Sequence, residues 1–219
     1  MTALVIALHG IGNQRAGWSS ALEDGVRKHL APGVRVRWAE VSYADLNAEV
    51  LDDLWLRLTK PVPFAIRTDP TALRRFVFSH LADALRMEEY QQRAFERLDR
   101  ELVGGEPTNV VLVSHSLGTV LGVRWLTSRG RRIDGLVTLG SPLPLFPDPP
   151  PNATVMPHWV NCYDPIDPLG CPLLPAGYPV HEDVSVGNPG RWIPALRHLK
   201  AHVNYDQNRD VHRRIAKLL

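Results

Sequence analysis

Val110-Val111-Leu112-Val113-Ser114-His115-Ser116-Leu117-Gly118 decides how this chain is read. The four apolar residues that open it form the short, wholly apolar run expected of a central parallel strand buried on both faces. From Leu117 to about Ser128 the pattern is helical. A serine between such a strand and such a helix sits on a tight turn. Its hydroxyl stands at the carboxyl edge of the sheet, where ligands bind in open α/β folds. The helix passes close to the strand there, so small neighbours are needed. Gly118 supplies one and Ser114 the other, at a position where glycine is the usual residue.

Working outward, Leu4 to Leu8 reads as a first buried strand. Ser20-Ala21-Leu22-Glu23 has the form of a capping box, and Leu22, Val26 and Leu30 continue its helix as an apolar stripe that Pro32-Gly33 ends. Val34, Val36 and Trp38 alternate with arginines, as in a strand with one polar face. The stretch from Tyr43 to Pro107 reads as a helical insertion, with Leu46, Val50, Leu54 and Leu58 at helical spacing. Asp69-Pro70 starts a second helix there, and Phe95, Leu98 and Leu102 mark a third. Such a length between two strands exceeds one crossover helix and suggests a partial roof over a pocket. Gly135 to Leu139, Trp159 to Tyr163 and Glu182 to Val186 are further strands, and Gln207 to Leu219 a closing helix. The prolines from Pro142 to Pro151 follow a strand inside a compact chain, so they read as a rigid loop near the site rather than as a ligand for a binding module. Alternating strands and helices with long crossovers predict one α/β domain over residues 1–219, a mainly parallel sheet with helices on both faces.

Bulk properties exclude several classes. In 219 residues, 44% are hydrophobic and 22% charged, an ordinary globular composition, and the formal net charge of +2 is too small to argue for nucleic acid. Arg129, Arg131 and Arg132 read as a solvated helix end. No apolar stretch approaches the ~18 residues of a membrane span. The opening lacks a basic start and a cleavage site, so no secretory signal is expected. Cys162 and Cys171 are too few for a disulfide scaffold and read as free thiols, which favours the cytoplasm. No metal and no cofactor is expected.

Four features carry chemistry. Ser116 is the candidate nucleophile. His9-Gly10-Ile11-Gly12-Asn13 follows the first strand, and glycines let such a loop turn its backbone inward. The amide of Ile11 and that of Leu117, at a helix start, are the expected donors to a developing oxyanion. A serine hydroxyl needs an adjacent base, and His202, beyond the last strand, is preferred over His198. His115, although next to the serine, is expected to point elsewhere. The acid that orients the base belongs to Tyr163-Asp164-Pro165-Ile166-Asp167-Pro168-Leu169, at a strand end. Asp167, deeper in the loop, has the reach to the histidine, and Asp164 is the alternative. Chain order is then Ser, Asp, His.

His-Gly-Ile-Gly-Asn-Gln at 9–14, Ser-His-Ser-Leu-Gly at 114–118, Thr-Leu-Gly-Ser-Pro-Leu at 138–143, Asp-Pro-Ile-Asp-Pro at 164–168 and Ala-His-Val-Asn-Tyr at 201–205 together resemble bacterial α/β hydrolases related to small lipases and esterases. The resemblance runs over most of the chain in the right order and is weakest from 43 to 107. It implies an α/β-hydrolase fold and a serine-dependent, cofactor-free hydrolase acting on a small-molecule or lipid ester. In such families the acid commonly precedes a short apolar run, which Asp167-Pro168-Leu169 and Asp164-Pro165-Ile166 both fit. Thioesterases and acyltransferases use the same groups, and a non-catalytic module with this fold is the reading from another class.

Overall fold

The computed structural model describes residues 2–10, 16–42, 88–103, 107–187 and 201–219. Among them six strands, β1 (Thr2–Leu8), β2 (Arg35–Val41), β3 (Asn109–His115), β4 (Gly135–Leu139), β5 (His158–Tyr163) and β6 (Glu182–Ser185), form one sheet. Its order is β2-β1-β3-β4-β5-β6, and every neighbouring pair is parallel. The described α-helices are α1 (Ser20–Arg27), α2 (Glu88–Glu101), α3 (Leu117–Arg129) and α4 (Arg209–Lys217).

Side chains alternate across each strand, so the sheet carries two apolar faces. Leu4, Ile6, Leu8, Leu112 and Leu136 share one cluster with Phe95 and Leu98 of α2 and with Leu121 and Trp125 of α3. Val5, Val111, Val113, Val137 and Val160 share the other with Leu22 and Val26 of α1 and Val211 and Ile215 of α4. The chain is therefore an α/β structure with an all-parallel sheet flanked by helices. Each fully buried leucine or valine contributes about 1.5–3 kcal/mol, which makes these two interfaces the main source of stability.

The helix ends follow local chemistry, with one correction. α3 stops at Gly130, whose left-handed φ of 58° suits glycine. Asn208 caps α4, its side-chain oxygen accepting from the amides of Asp210 and Val211. The capping box expected at Ser20 and Glu23 does not form. Ser19 is the N-cap residue, and its side chain makes no capping bond to the helix. Its amide and hydroxyl instead donate to the Glu40 carboxylate at 2.7 and 2.6 Å, beside a third donor, the Gly17 amide at 2.7 Å. Glu23 pairs with Arg27 at 2.6 Å. A carboxylate on the neighbouring strand that collects three donors displaces a local box worth about 1 kcal/mol.

Of the expected helical insertion over 43–107, residues 88–103 are described. They hold α2, whose Phe95 and Leu98 are buried in the core beside α3 rather than over a pocket. The helices expected around Leu46 to Leu58 and after Asp69 lie outside the described residues. Among the described residues no helix is long and apolar enough to cross a membrane.

Candidate functional site

The sheet order places the site. β1 lies between β2 and β3, so the chain crosses β1 and reverses its direction of travel there. In open parallel sheets such a switch point leaves a crevice beyond the carboxyl ends of its strands. Gly10 follows the end of β1 and Ser116 follows the end of β3.

Ser116 adopts φ 54° and ψ −126°, and it is the one non-glycine residue with positive φ among the described residues. A non-glycine residue held there stores about 1–3 kcal/mol of strain. Three observations show what holds it. Its amide donates to the Leu139 carbonyl of the adjacent strand at 2.9 Å. A Cβ on Gly10 would lie 2.6 Å from the Ser116 Cβ, so only glycine admits this approach. A Cβ on Gly118 would lie 2.3 Å from the His9 carbonyl oxygen, so α3 closes directly onto the end of β1. Ser114, in place of the usual glycine, faces Gly122 of α3, where an added Cβ would lie 3.1 Å from the Leu112 side chain and 3.6 Å from the Ser114 hydroxyl oxygen.

The structure brings Ser116, His202 and Asp167 together. Ser116 Oγ is 2.7 Å from His202 Nε2. His202 Nδ1 is 3.0 Å from Asp167 Oδ1 and 2.9 Å from Oδ2. Burial pushes the Asp167 carboxyl up, but His202 beside it, the Leu169 amide and the Tyr205 hydroxyl outweigh that and hold it below the ordinary carboxylate range. It is therefore an acceptor only, so His202 Nδ1 carries the proton and Nε2 offers its lone pair to the Ser116 hydroxyl. Asp164, the alternative acid, uses Oδ1 to accept the Ile166 amide at 3.0 Å and so shapes the turn after β5. Leu117 is the first residue of α3, where an amide has no acceptor within the helix. Ile11 and His198 lie outside the described residues.

Two participants were not read from the sequence as such. Tyr205 donates its hydroxyl to Asp167 Oδ2 at 2.8 Å. It stands three residues after His202, the spacing that puts two side chains on one side of a helical turn, and that signal was present in Ala-His-Val-Asn-Tyr. His115 does not point away. Its ring lies 4.9 Å from that of His202, and its Nε2 donates to the His202 carbonyl at 2.7 Å. Strand alternation explains this: Ser114 faces α3, so His115 faces the opposite side, where the 202–205 turn runs. Burial foremost, and then the charge of His202, push the His115 pKa down to about 3, so it is a neutral donor at ordinary pH.

Ser116, His202, His115 and Tyr205 line one cavity of about 230 Å³, completed by His9, Trp18, Leu22, Val203 and Asp206 among others. The proline-rich loop does not line it. Pro149, Pro150 and Pro151 border a separate cleft with Arg124 and Tyr178. Cys162 and Cys171 are buried and not joined in a disulfide, and burial pushes the Cys162 thiol up to about 12. Among the described residues no cluster of three or more metal-ligating side chains occurs.

No protein-family model and no curated protein matches the chain. Among solved structures it is similar to the 2.75 Å crystal structure of an uncharacterized protein from Bacillus cereus ATCC 10987, at 12% identity and a TM-score of 0.42, over 94% of this chain and 59% of that one. The chain thus spans about three fifths of that protein's length.

Proposed function

We propose that this chain is a serine hydrolase of the α/β-hydrolase type that cleaves carboxylic esters through an acyl-enzyme. The observation that carries the reading is the continuous relay from Ser116 Oγ through His202 to Asp167, with contacts of 2.7 and 2.9 Å, at the switch point of the sheet. The strained backbone at Ser116 supports it, since such strain persists where a reactive group must be presented.

In this mechanism Ser116 Oγ attacks the ester carbonyl carbon while His202 Nε2 takes its proton. The resulting imidazolium is stabilised by the Asp167 carboxylate. The carbonyl electrons move onto oxygen, which the amide of Leu117, and in this proposal that of Ile11, receive. When the tetrahedral adduct collapses, His202 returns the proton to the departing alkoxide and the acyl group stays on Ser116. Water, deprotonated by His202, then attacks the acyl carbon, and the Ser116 oxygen leaves with the proton. A thioester or an acceptor alcohol in place of water would use the same groups. Two cysteines not joined in a disulfide suit a reducing compartment, and we place the activity in the cytoplasm.

The test is labelling with a fluorophosphonate, followed by a panel of esters and thioesters of graded acyl length. Stoichiometric modification of Ser116 is expected, and Ser116→Ala should take no label and turn over nothing while keeping its unfolding midpoint. A folded parent chain that takes no label at Ser116 would sink the reading and favour a non-catalytic module.

A further inference from the structure

The Asp167 carboxylate sits at the end of two rotatable bonds, yet it faces His202 with both oxygens at nearly equal distance, 3.0 and 2.9 Å. Each oxygen has a second partner. Oδ1 accepts the Leu169 amide at 2.9 Å and Oδ2 accepts the Tyr205 hydroxyl at 2.8 Å. The Leu169 bond is local, two residues away along the same loop. The Tyr205 bond is not: it comes from the turn that carries His202.

We propose that Tyr205 is a positioning residue that clamps Asp167 against His202, resting on the reading of Ser116, His202 and Asp167 as a working triad. The direction of its hydroxyl is fixed. The Asp164 amide donates into the phenol oxygen at 2.9 Å, and an amide cannot accept. The phenol's single proton must then go to Asp167. All three residues are buried, with Tyr205 and Asp167 1% and Asp164 2% exposed, so water does not compete for these bonds. Burial, and then the Asp167 charge, push the Tyr205 phenol up, so it stays protonated.

The neighbourhood is shaped around the clamp. A Cβ on Gly170 would lie 2.6 Å from Asp167 Oδ2 and 2.8 Å from the Tyr205 oxygen. A Cβ on Gly140, whose φ is +56°, would lie 2.8 Å from the Tyr205 ring. Tyr205 and His202 share one turn, so a movement of the base carries the acid's clamp with it. The arrangement also gives Asp164 a part in the site through its main chain rather than its carboxylate.

The experiment measures the fluorophosphonate labelling rate of Ser116 against probe concentration and pH, for the parent chain and Tyr205→Phe. Loss of one hydrogen bond to a charged group should lower the maximal rate, kinact, about tenfold to a hundredfold. KI should change little, because the hydroxyl that is lost faces Asp167 and the Asp164 amide. Without this donor the Asp167 carboxyl titrates higher, so the low-pH limb of the labelling profile should move to higher pH. Should Tyr205→Phe fail to fold, Tyr205→Met serves instead, since it too lacks the donor while Asp167 keeps its bonds to Leu169 and His202, and it should give the same two changes. A labelled parent with parental kinact and pH limb in the folded variant overturns the clamp alone. A parent that takes no label at Ser116 overturns the triad reading and the clamp with it.

Discussion

Asp164 and Asp167 stand in nearly identical local sequence, each followed by proline, and the bonds they make separate them. Asp167 meets His202 Nδ1 at 2.9 Å, whereas the Asp164 carboxylate accepts the Ile166 amide. Asp167→Asn keeps the shape but offers His202 an amide, which favours the wrong tautomer. The expected loss in turnover is about 10⁴-fold with little change in KM. Asp164→Asn keeps an oxygen for the Ile166 amide and leaves the main-chain bond to Tyr205 in place. It should retain most of the activity and act on the unfolding midpoint, by roughly 1 kcal/mol. Steady-state kinetics and denaturant unfolding of the two variants check this, and a reversal of the two outcomes would move the acid to Asp164.

At the scale of the element, α3 is the piece that makes the serine turn possible, and its two ends differ in what glycine does there. Gly118 is the point of contact with β1, where an added methyl group would lie 2.3 Å from the His9 carbonyl oxygen and 2.9 Å from that of Leu8. Both are main-chain atoms that cannot swing aside. Gly118→Ala should therefore cost about 1–3 kcal/mol through overpacking, and it should also slow labelling of Ser116, because the turn must open to relieve the clash. Gly130, at the other end, has φ +58° and nothing within 4 Å of an added Cβ. Gly130→Ala should cost about 1–2 kcal/mol through its left-handed backbone alone and leave labelling untouched. Equal labelling rates in the two variants would remove Gly118 from the construction of the site.

For the whole molecule, the burial that assembles the site also sets its response to acid. His115 titrates near 6.5 when unfolded and at about 3 when folded, because burial foremost disfavours its charged form. Between those values the unfolded chain binds a proton that the folded chain does not, so stability is fully present above about 6.5 and falls as the pH drops toward 3. Asp167 has the same sign lower on the scale: its contribution is present above the ordinary carboxylate value and is lost as the pH falls through its depressed one. Asp206, raised by burial, opposes both by favouring the folded state at low pH. Urea midpoints between pH 7.5 and 5 should therefore fall more steeply for the parent than for His115→Phe, by up to about 1.4 kcal/mol per pH unit below 6.5. Parallel curves would show that proton uptake by His115 does not limit stability in acid.

Features that neighbouring residues control were legible from residue order. Val110 to Val113 read as a buried strand and Leu117 onward as a helix because side-chain alternation and apolar periodicity are local, and the turn at Ser116 followed from their junction. The local capping box read at Ser20 and Glu23 fails because a distant carboxylate, Glu40, takes the amide and hydroxyl of Ser19, the residue that stands at the N-cap. Ser116, His202 and Asp167, singled out by their motifs, are hydrogen-bonded to one another. Tertiary structure alone put Asp167 rather than Asp164 against His202, turned His115 toward the His202 carbonyl, brought the Tyr205 phenol onto Asp167 and set Ser114 against Gly122. It also packed α2 into the core and set Pro149 to Pro151 along a separate cleft. Each of these depends on residues far apart in the chain meeting at a particular distance. Periodicity reports which face of an element is buried, but not which partner waits on the other side.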